Sequence, residues 1–267
     1  MASEIVAAIE AWAHGSRILL ALIMGSIAMI LTTLGGLPVL LLRAARTDRF
    51  SLLIDLGLGF SSGVMIVASF TSLLLPAIDI GGLLQPLAGL IMGALAVHIV
   101  NELVPHEHFF KSYDGPEHLR RKIRAAWLVA LAIIIHNIPE GVSIGASSAY
   151  SPVTGVVTGL AIGIQDVPEG FAVALPVFAS TGSRLYALFL AFLSGFSEVV
   201  FSVLAALVAS YSAALLPLVM GFGAGAMVYV VSHEALPETH RSGNEDKATL
   251  SFFAGFIVML LLDTLLG

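Results

Sequence analysis

The sequence predicts an all-α, polytopic membrane protein with eight transmembrane helices, and three observations carry that prediction. Apolar residues make up 58% of the 267-residue chain and charged residues only 11%, against about 45–50% and about 25% in soluble domains. The apolar residues recur in long, nearly uncharged runs from Ile18 to the C-terminus, and about 20 such residues suffice to cross a bilayer as a helix. The basic residues occupy alternate breaks between the runs, the pattern by which Lys and Arg mark the cytoplasmic side.

Residues 1–17 carry Glu4, Glu10 and a lone Arg17. They lack the basic start of a signal peptide and read as a short external amphipathic lead-in. Spans one to eight follow at about 18–42, 52–76, 83–103, 125–147, 153–179, 185–209, 213–236 and 249–266. Each run is continuously apolar rather than alternating, which favours helices over the strands of a barrel. Residues 1–267 are then a single transmembrane domain.

Arg43, Arg46 and Arg49 lie between spans one and two, and Lys111, Arg120, Arg121, Lys122 and Arg124 between three and four. Arg184 lies between five and six, and Arg241 and Lys247 between seven and eight. Eleven of the twelve bases thus fall on one side, leaving only Arg17 on the other. Both termini are expected outside. The longest break, about 104–124, is then cytoplasmic and adds His106, Glu107, His108, Asp114, Glu117 and His118 to its five bases. It reads either as a solvated linker or as a weak metal-gathering loop.

The net charge of −6 is informative through the position of its acids. Glu140 falls in span four, Asp166 and Glu169 in span five, and Glu198 in span six. An ionised group at mid-bilayer costs roughly 2.5–3.5 kcal/mol on the lenient scale, so four cost on the order of 10–14 kcal/mol. No Lys or Arg falls at that depth in any span, which leaves protons, water or metal cations to neutralise them. Cysteine is absent, so thiolate sites are excluded and a metal must be held by His, carboxylate, amide or thioether groups.

The local sequences favour metal. Span four contains His136-Asn137-Ile138-Pro139-Glu140-Gly141, and span five contains Gln165-Asp166-Val167-Pro168-Glu169-Gly170. At helical spacing, His136 and Glu140 lie one turn apart on one face, as do Gln165 and Glu169, with Asn137 and Asp166 about 60° to the side. Pro139 and Pro168 cannot donate to the carbonyls one turn earlier, so a kink is expected at each. Imidazole with carboxylate and amide oxygens suits Zn²⁺, and also Fe²⁺, Mn²⁺ or Co²⁺. Buried polar groups bonded only to one another are the alternative, and the duplication of the Pro-Glu-Gly unit together with Glu198 counts against it.

The hexapeptide beginning at His136 resembles the fourth-helix signature of the ZIP family of divalent-metal transporters. The one beginning at Gln165 resembles its fifth-helix counterpart, and the Gln-Asp start resembles the GufA-like branch. The resemblance covers nearly the whole chain and implies an inverted-repeat ZIP-type helical bundle in a prokaryotic inner (cell) membrane. It implies transport of divalent ions into the cytoplasm by alternating access, Zn²⁺ foremost, with Cd²⁺, Fe²⁺, Mn²⁺ and Co²⁺ as further candidates. It also implies a binuclear centre between helices four and five. His136, Glu140, Gln165 and Glu169 would hold one ion, with Met65 as a soft ligand; Asn137, Glu140, Asp166, Glu169 and Glu198 would hold the other, Glu140 and Glu169 bridging. Helices one, four, five and six would carry the metal against a scaffold of two, three, seven and eight, the scaffold forming a homodimer. The implied partners are metal ions, the bilayer and a second copy, with no nucleic acid.

Span seven ends His233-Glu234-Ala235-Leu236-Pro237-Glu238-Thr239-His240. This departs from H-E-x-x-H at Pro237, so a zincin helix is unsupported. His233 and Glu234 are expected at a metal release site near the cytoplasm, or else mark an ordinary polar helix end. Asp79 and Asp263 fall at the outer side, where they resemble entrance acids, while His98 and Glu102 read as structural. Two other classes compete with transport: an intramembrane zinc-dependent hydrolase, which needs an open water position and a separate acid or base, and a proton pump or channel.

Overall fold

The computed structural model describes residues 2–42, 47–103 and 135–266, all but short connections of them helical. Helix α1 is Ala2–Trp12, α2 is Arg17–Gly36, α3 is Thr47–Ala68 and α4 is Leu84–Leu103. Residues 135–150 form α5. The remaining helices are α6 (Pro152–Thr181), α7 (Arg184–Tyr211), α8 (Leu216–Val230) and α9 (Glu245–Leu266). There is no strand among the described residues.

Seven helices among the described residues are long and apolar enough to cross a membrane: Arg17–Leu41, Phe50–Gly81, Leu84–Leu103, Pro152–Thr181, Arg184–Tyr211, Ala213–Thr239 and Glu245–Leu265. They coincide with predicted spans one, two, three, five, six, seven and eight. Helix α5 covers the second part of predicted span four, and residues 104–134, including the predicted cytoplasmic loop, lie outside the described residues. The all-α membrane fold is therefore as the sequence predicts.

Two spans lengthen through a π turn. Helix α3 continues through Ser69–Leu74 into Leu75–Gly81, and α8 continues through Val231–Ala235 into Leu236–Thr239. Each turn lies just ahead of a proline, Pro76 or Pro237, and the residue before the proline donates five residues back, Leu75 to Phe70 and Leu236 to Val231. Proline has no N–H for the α-helical bond, so the strain of its ring is taken up in the preceding turn. Pro168 lies within α6, which is assigned as one α-helix from Pro152 to Thr181. Ser61 of α3 donates to the Gln165 carbonyl beside that proline at 3.1 Å.

The tightest helix pairs fall into two groups, α2 against α6 and α7, and α4 against α8 with α9 against α3, while α3 also packs along α6 between them. Inside each group the backbones touch: a Cβ on Gly170 of α6 would collide with the Thr32 carbonyl of α2, and one on Gly93 of α4 with the Phe222 carbonyl of α8. Close approach at glycine is how membrane helices associate where no hydrophobic force separates protein from lipid. Between the groups, a Cβ on Gly57 of α3 would stand 2.6 Å from Pro168 Cβ of α6, and Ser143 of α5 donates to Met227 Sδ of α8 at 2.7 Å.

Several inter-span connections meet at one end of the bundle. Arg184, at the start of α7, donates to the Leu42 carbonyl after α2 through Nε at 3.1 Å and Nη2 at 2.6 Å. Asn244, before α9, donates to Asp55 of α3 at 2.8 Å. The connections before α7 and before α9 thus lie at the end of the bundle where α2 closes and α3 begins.

Candidate metal centre

Helices α5 and α6 bring the two Pro-Glu-Gly units face to face. Gln165 donates through Nε2 to Oε1 of Glu140 at 2.5 Å. Oxygens of Glu140, Asp166 and Glu169 lie within 4.8 Å of one another, all three residues buried. Around a tetrahedral Zn²⁺ with ligand distances of about 2.0–2.2 Å, two oxygens stand about 3.3–3.6 Å apart. An ion at the cluster would draw these oxygens together by up to about an ångström.

Glu198 of α7 is not one of that group but lies beside Asp166 from a third helix. Its Oε1 accepts from Asn137 Nδ2 at 2.7 Å and from Thr32 Oγ1 of α2 at 3.1 Å. Asn137, Glu140, Gln165, Asp166, Glu169 and Glu198 are all buried. Gly141 permits this approach, because a Cβ there would meet the Glu198 carbonyl oxygen at 2.7 Å.

The polar bookkeeping is lopsided. Each amide spends its N–H on one oxygen of a neighbouring carboxylate, leaving its own carbonyl oxygen and the second carboxylate oxygen bare. Asn137 Oδ1, Glu140 Oε2, Gln165 Oε1, both Asp166 oxygens, Glu169 Oε1 and Glu198 Oε2 are buried with no hydrogen-bond partner, as is His136 Nε2. Buried polar atoms are nearly always satisfied, and leaving one bare costs about 1–3 kcal/mol. These eight atoms, seven of them oxygens, surround the group of Glu140, Asp166 and Glu169, and a cation can satisfy such a set; protons shared between neighbouring carboxyls, such as Asp166 and Glu198, are the other way to satisfy it. Among the described residues no Lys or Arg pairs with these carboxylates.

His136 is half-buried at the edge of the cluster, its Nδ1 facing Glu234 Oε2 at 3.5 Å. Glu234 is held in turn by Asn101 Nδ2 of α4. His233 points elsewhere: it is exposed and lies against Tyr229, ring centroids 5.1 Å apart. Met65 is fully buried, one turn beyond Ser61 on the face of α3 that meets α6. At the far end, Ser72 reaches Asp263 at 3.4 Å and Asp79 is exposed. His98 bonds the Tyr229 hydroxyl at 2.8 Å and Glu102 is exposed. His106 and His108 lie outside the described residues.

Sequence reasoning missed Thr32, Ser61 and Asn101, which orient Glu198, α6 and Glu234 respectively. Their only signal was a polar side chain at or near an apolar run.

A helical membrane bundle around a buried, carboxylate-rich cluster has the make-up of a membrane protein that handles cations. Residues 106–263 match the family described as ZIP Zinc transporter. The zinc transporter ZIPB of Bordetella bronchiseptica is 41% identical over 255 residues, covering 91% of this chain and 80% of that one. The zinc transporter GufA of Myxococcus xanthus is 39% identical over 248 residues, covering 88% and 94%. The zinc transporter ZupT of Chlorobium chlorochromatii is 31% identical over 232 residues, covering 78% and 84%. The chain belongs to the ZIP family.

Proposed function

We propose that the protein carries divalent transition-metal ions, Zn²⁺ foremost, into the cytoplasm of a prokaryotic cell through a binuclear site between α5 and α6. One observation carries this reading: the carboxylates of Glu140, Asp166 and Glu169 converge in the interior with bare oxygens. The relatives' names, all zinc transporters, support Zn²⁺ as the ion.

In this reading His136, Glu140, Gln165 and Glu169 hold one ion with Met65 beside them. Asn137, Glu140, Asp166, Glu169 and Glu198 hold the second, and Glu140 and Glu169 bridge. Sharing the carboxylates keeps each ion weakly enough bound to leave. Alternating access is supported by the backbone contacts inside each helix group, Gly170 on the Thr32 carbonyl and Gly93 on the Phe222 carbonyl. The group of α2, α5, α6 and α7 would move against that of α3, α4, α8 and α9. Outward termini and a homodimer built on the second group belong to the same proposal. Native mass spectrometry reads the second copy.

Proteoliposomes separate transport from an intramembrane hydrolase. Uptake of ⁶⁵Zn²⁺ that is lost in Glu140→Ala is the expected result. Metal-dependent hydrolysis with no ion flux would sink the transport reading.

A further inference from the structure

We propose that Glu234 is a positioning residue: it fixes the tautomer and direction of the His136 imidazole from the opposite helix group. This role differs from the release-site ligand that its sequence position suggests, and it rests on the metal-transport reading above.

The geometry is directional. His136 Nδ1 faces Glu234 Oε2 at 3.5 Å, while His136 Nε2 is buried with no partner. A carboxylate only accepts, and a neutral imidazole carries one N–H and one lone pair. A proton on Nδ1 therefore puts the lone pair on Nε2, the nitrogen left for an ion. Metal-bound histidines generally donate their other N–H to such a partner, which sets the ring and raises its basicity. Glu234 is itself anchored, because its Oε1 accepts from Asn101 Nδ2. The chain Asn101, Glu234, His136 runs from α4 through the extension of α8 to α5.

The π turn Val231–Ala235 delivers the carboxylate. It adds one residue to a helical turn, which rotates the residues before it by about 100° relative to those after it. Glu234 then points to His136 while its neighbour His233 is exposed. Asn101 and Glu234 sit on the α3, α4, α8, α9 group and His136 on the other, so the chain is complete only where the two groups meet as they do here.

The test uses purified full-length protein. Nitrogen-15 NMR of metal-free protein at about pH 8, where a free imidazole is neutral, reads the tautomer, with His136 assigned by loss of its signal in His136→Gln. Wild type should show the Nδ1–H form. Glu234→Ala should shift His136 toward Nε2–H, while Glu234→Gln, whose amide oxygen still accepts, should retain Nδ1–H. Zn²⁺ affinity, measured by chelator competition, should fall about 10–100-fold in Glu234→Ala and less in Glu234→Gln. It should fall no further when Glu234→Ala is added to His136→Gln. An Nε2–H form in wild type overturns the proposal, as does an equal affinity loss with and without His136, which would make Glu234 a ligand in its own right. If wild type binds no Zn²⁺, the transport reading fails, and the tautomer still decides this one.

Discussion

Gln165 donates through Nε2 to Oε1 of Glu140 at 2.5 Å, and both residues are fully buried. The bond joins the two Pro-Glu-Gly helices at their polar centre, yet it leaves Gln165 Oε1 and Glu140 Oε2 bare. Satisfying those atoms with a cation leaves the bond intact, so the helices need not separate to bind.

The bridging roles give a pattern of losses. Glu140→Ala and Glu169→Ala should each weaken both ions by more than about 10-fold, whereas Glu198→Ala should weaken mainly the second. Isothermal titration with Zn²⁺ on each variant reads stoichiometry and affinity together. Equal, negligible effects from all three would reject the bridged arrangement.

Protons compete for the same atoms. An ion needs the carboxylates ionised and His136 neutral, so binding releases protons and affinity falls as pH drops. Equilibrium dialysis with ⁶⁵Zn²⁺ should show weaker binding at about pH 5 than at about pH 7.5, and unchanged binding would argue against coordination by these groups.

Thr32 supports one side of the centre only. Thr32→Val keeps the volume nearly constant and removes one of the two bonds to Glu198 Oε1, a loss of about 0.5–1.5 kcal/mol. The second ion should bind a few-fold more weakly and the first unchanged.

The backbone contact of α2 with α6 is testable through stability. Gly170→Ala drives a methyl into the Thr32 carbonyl, and overpacking of this kind costs about 1–3 kcal/mol. Thermal unfolding in detergent should shift down. Leu250→Ala, at a side chain 71% exposed, should leave it nearly unchanged.

Much of this was legible in the chain itself, because the bilayer enforces a simple rule. A spanning helix must be long and apolar, so Arg17–Leu41 or Arg184–Tyr211 reads directly from the runs. A carboxylate at that depth must have a reason, so Glu140, Asp166, Glu169 and Glu198 stand out. Partners far apart in sequence were not legible. Thr32 and Glu198 are 166 residues apart and Asn101 and Glu234 are 133 apart, and no local pattern codes which helices will touch. The direction of Glu234 was hidden for a different reason, since it depends on a single π turn that helical periodicity does not anticipate.

The most direct test of the intramembrane centre is a crystal of the protein soaked in Cd²⁺, with data collected for anomalous scattering. Two peaks should appear about 3.5–4 Å apart, between Glu140 and Glu169, one toward His136 and Gln165 and the other toward Asp166 and Glu198. Cadmium bound only at surface carboxylates, with no density between α5 and α6, would contradict the account.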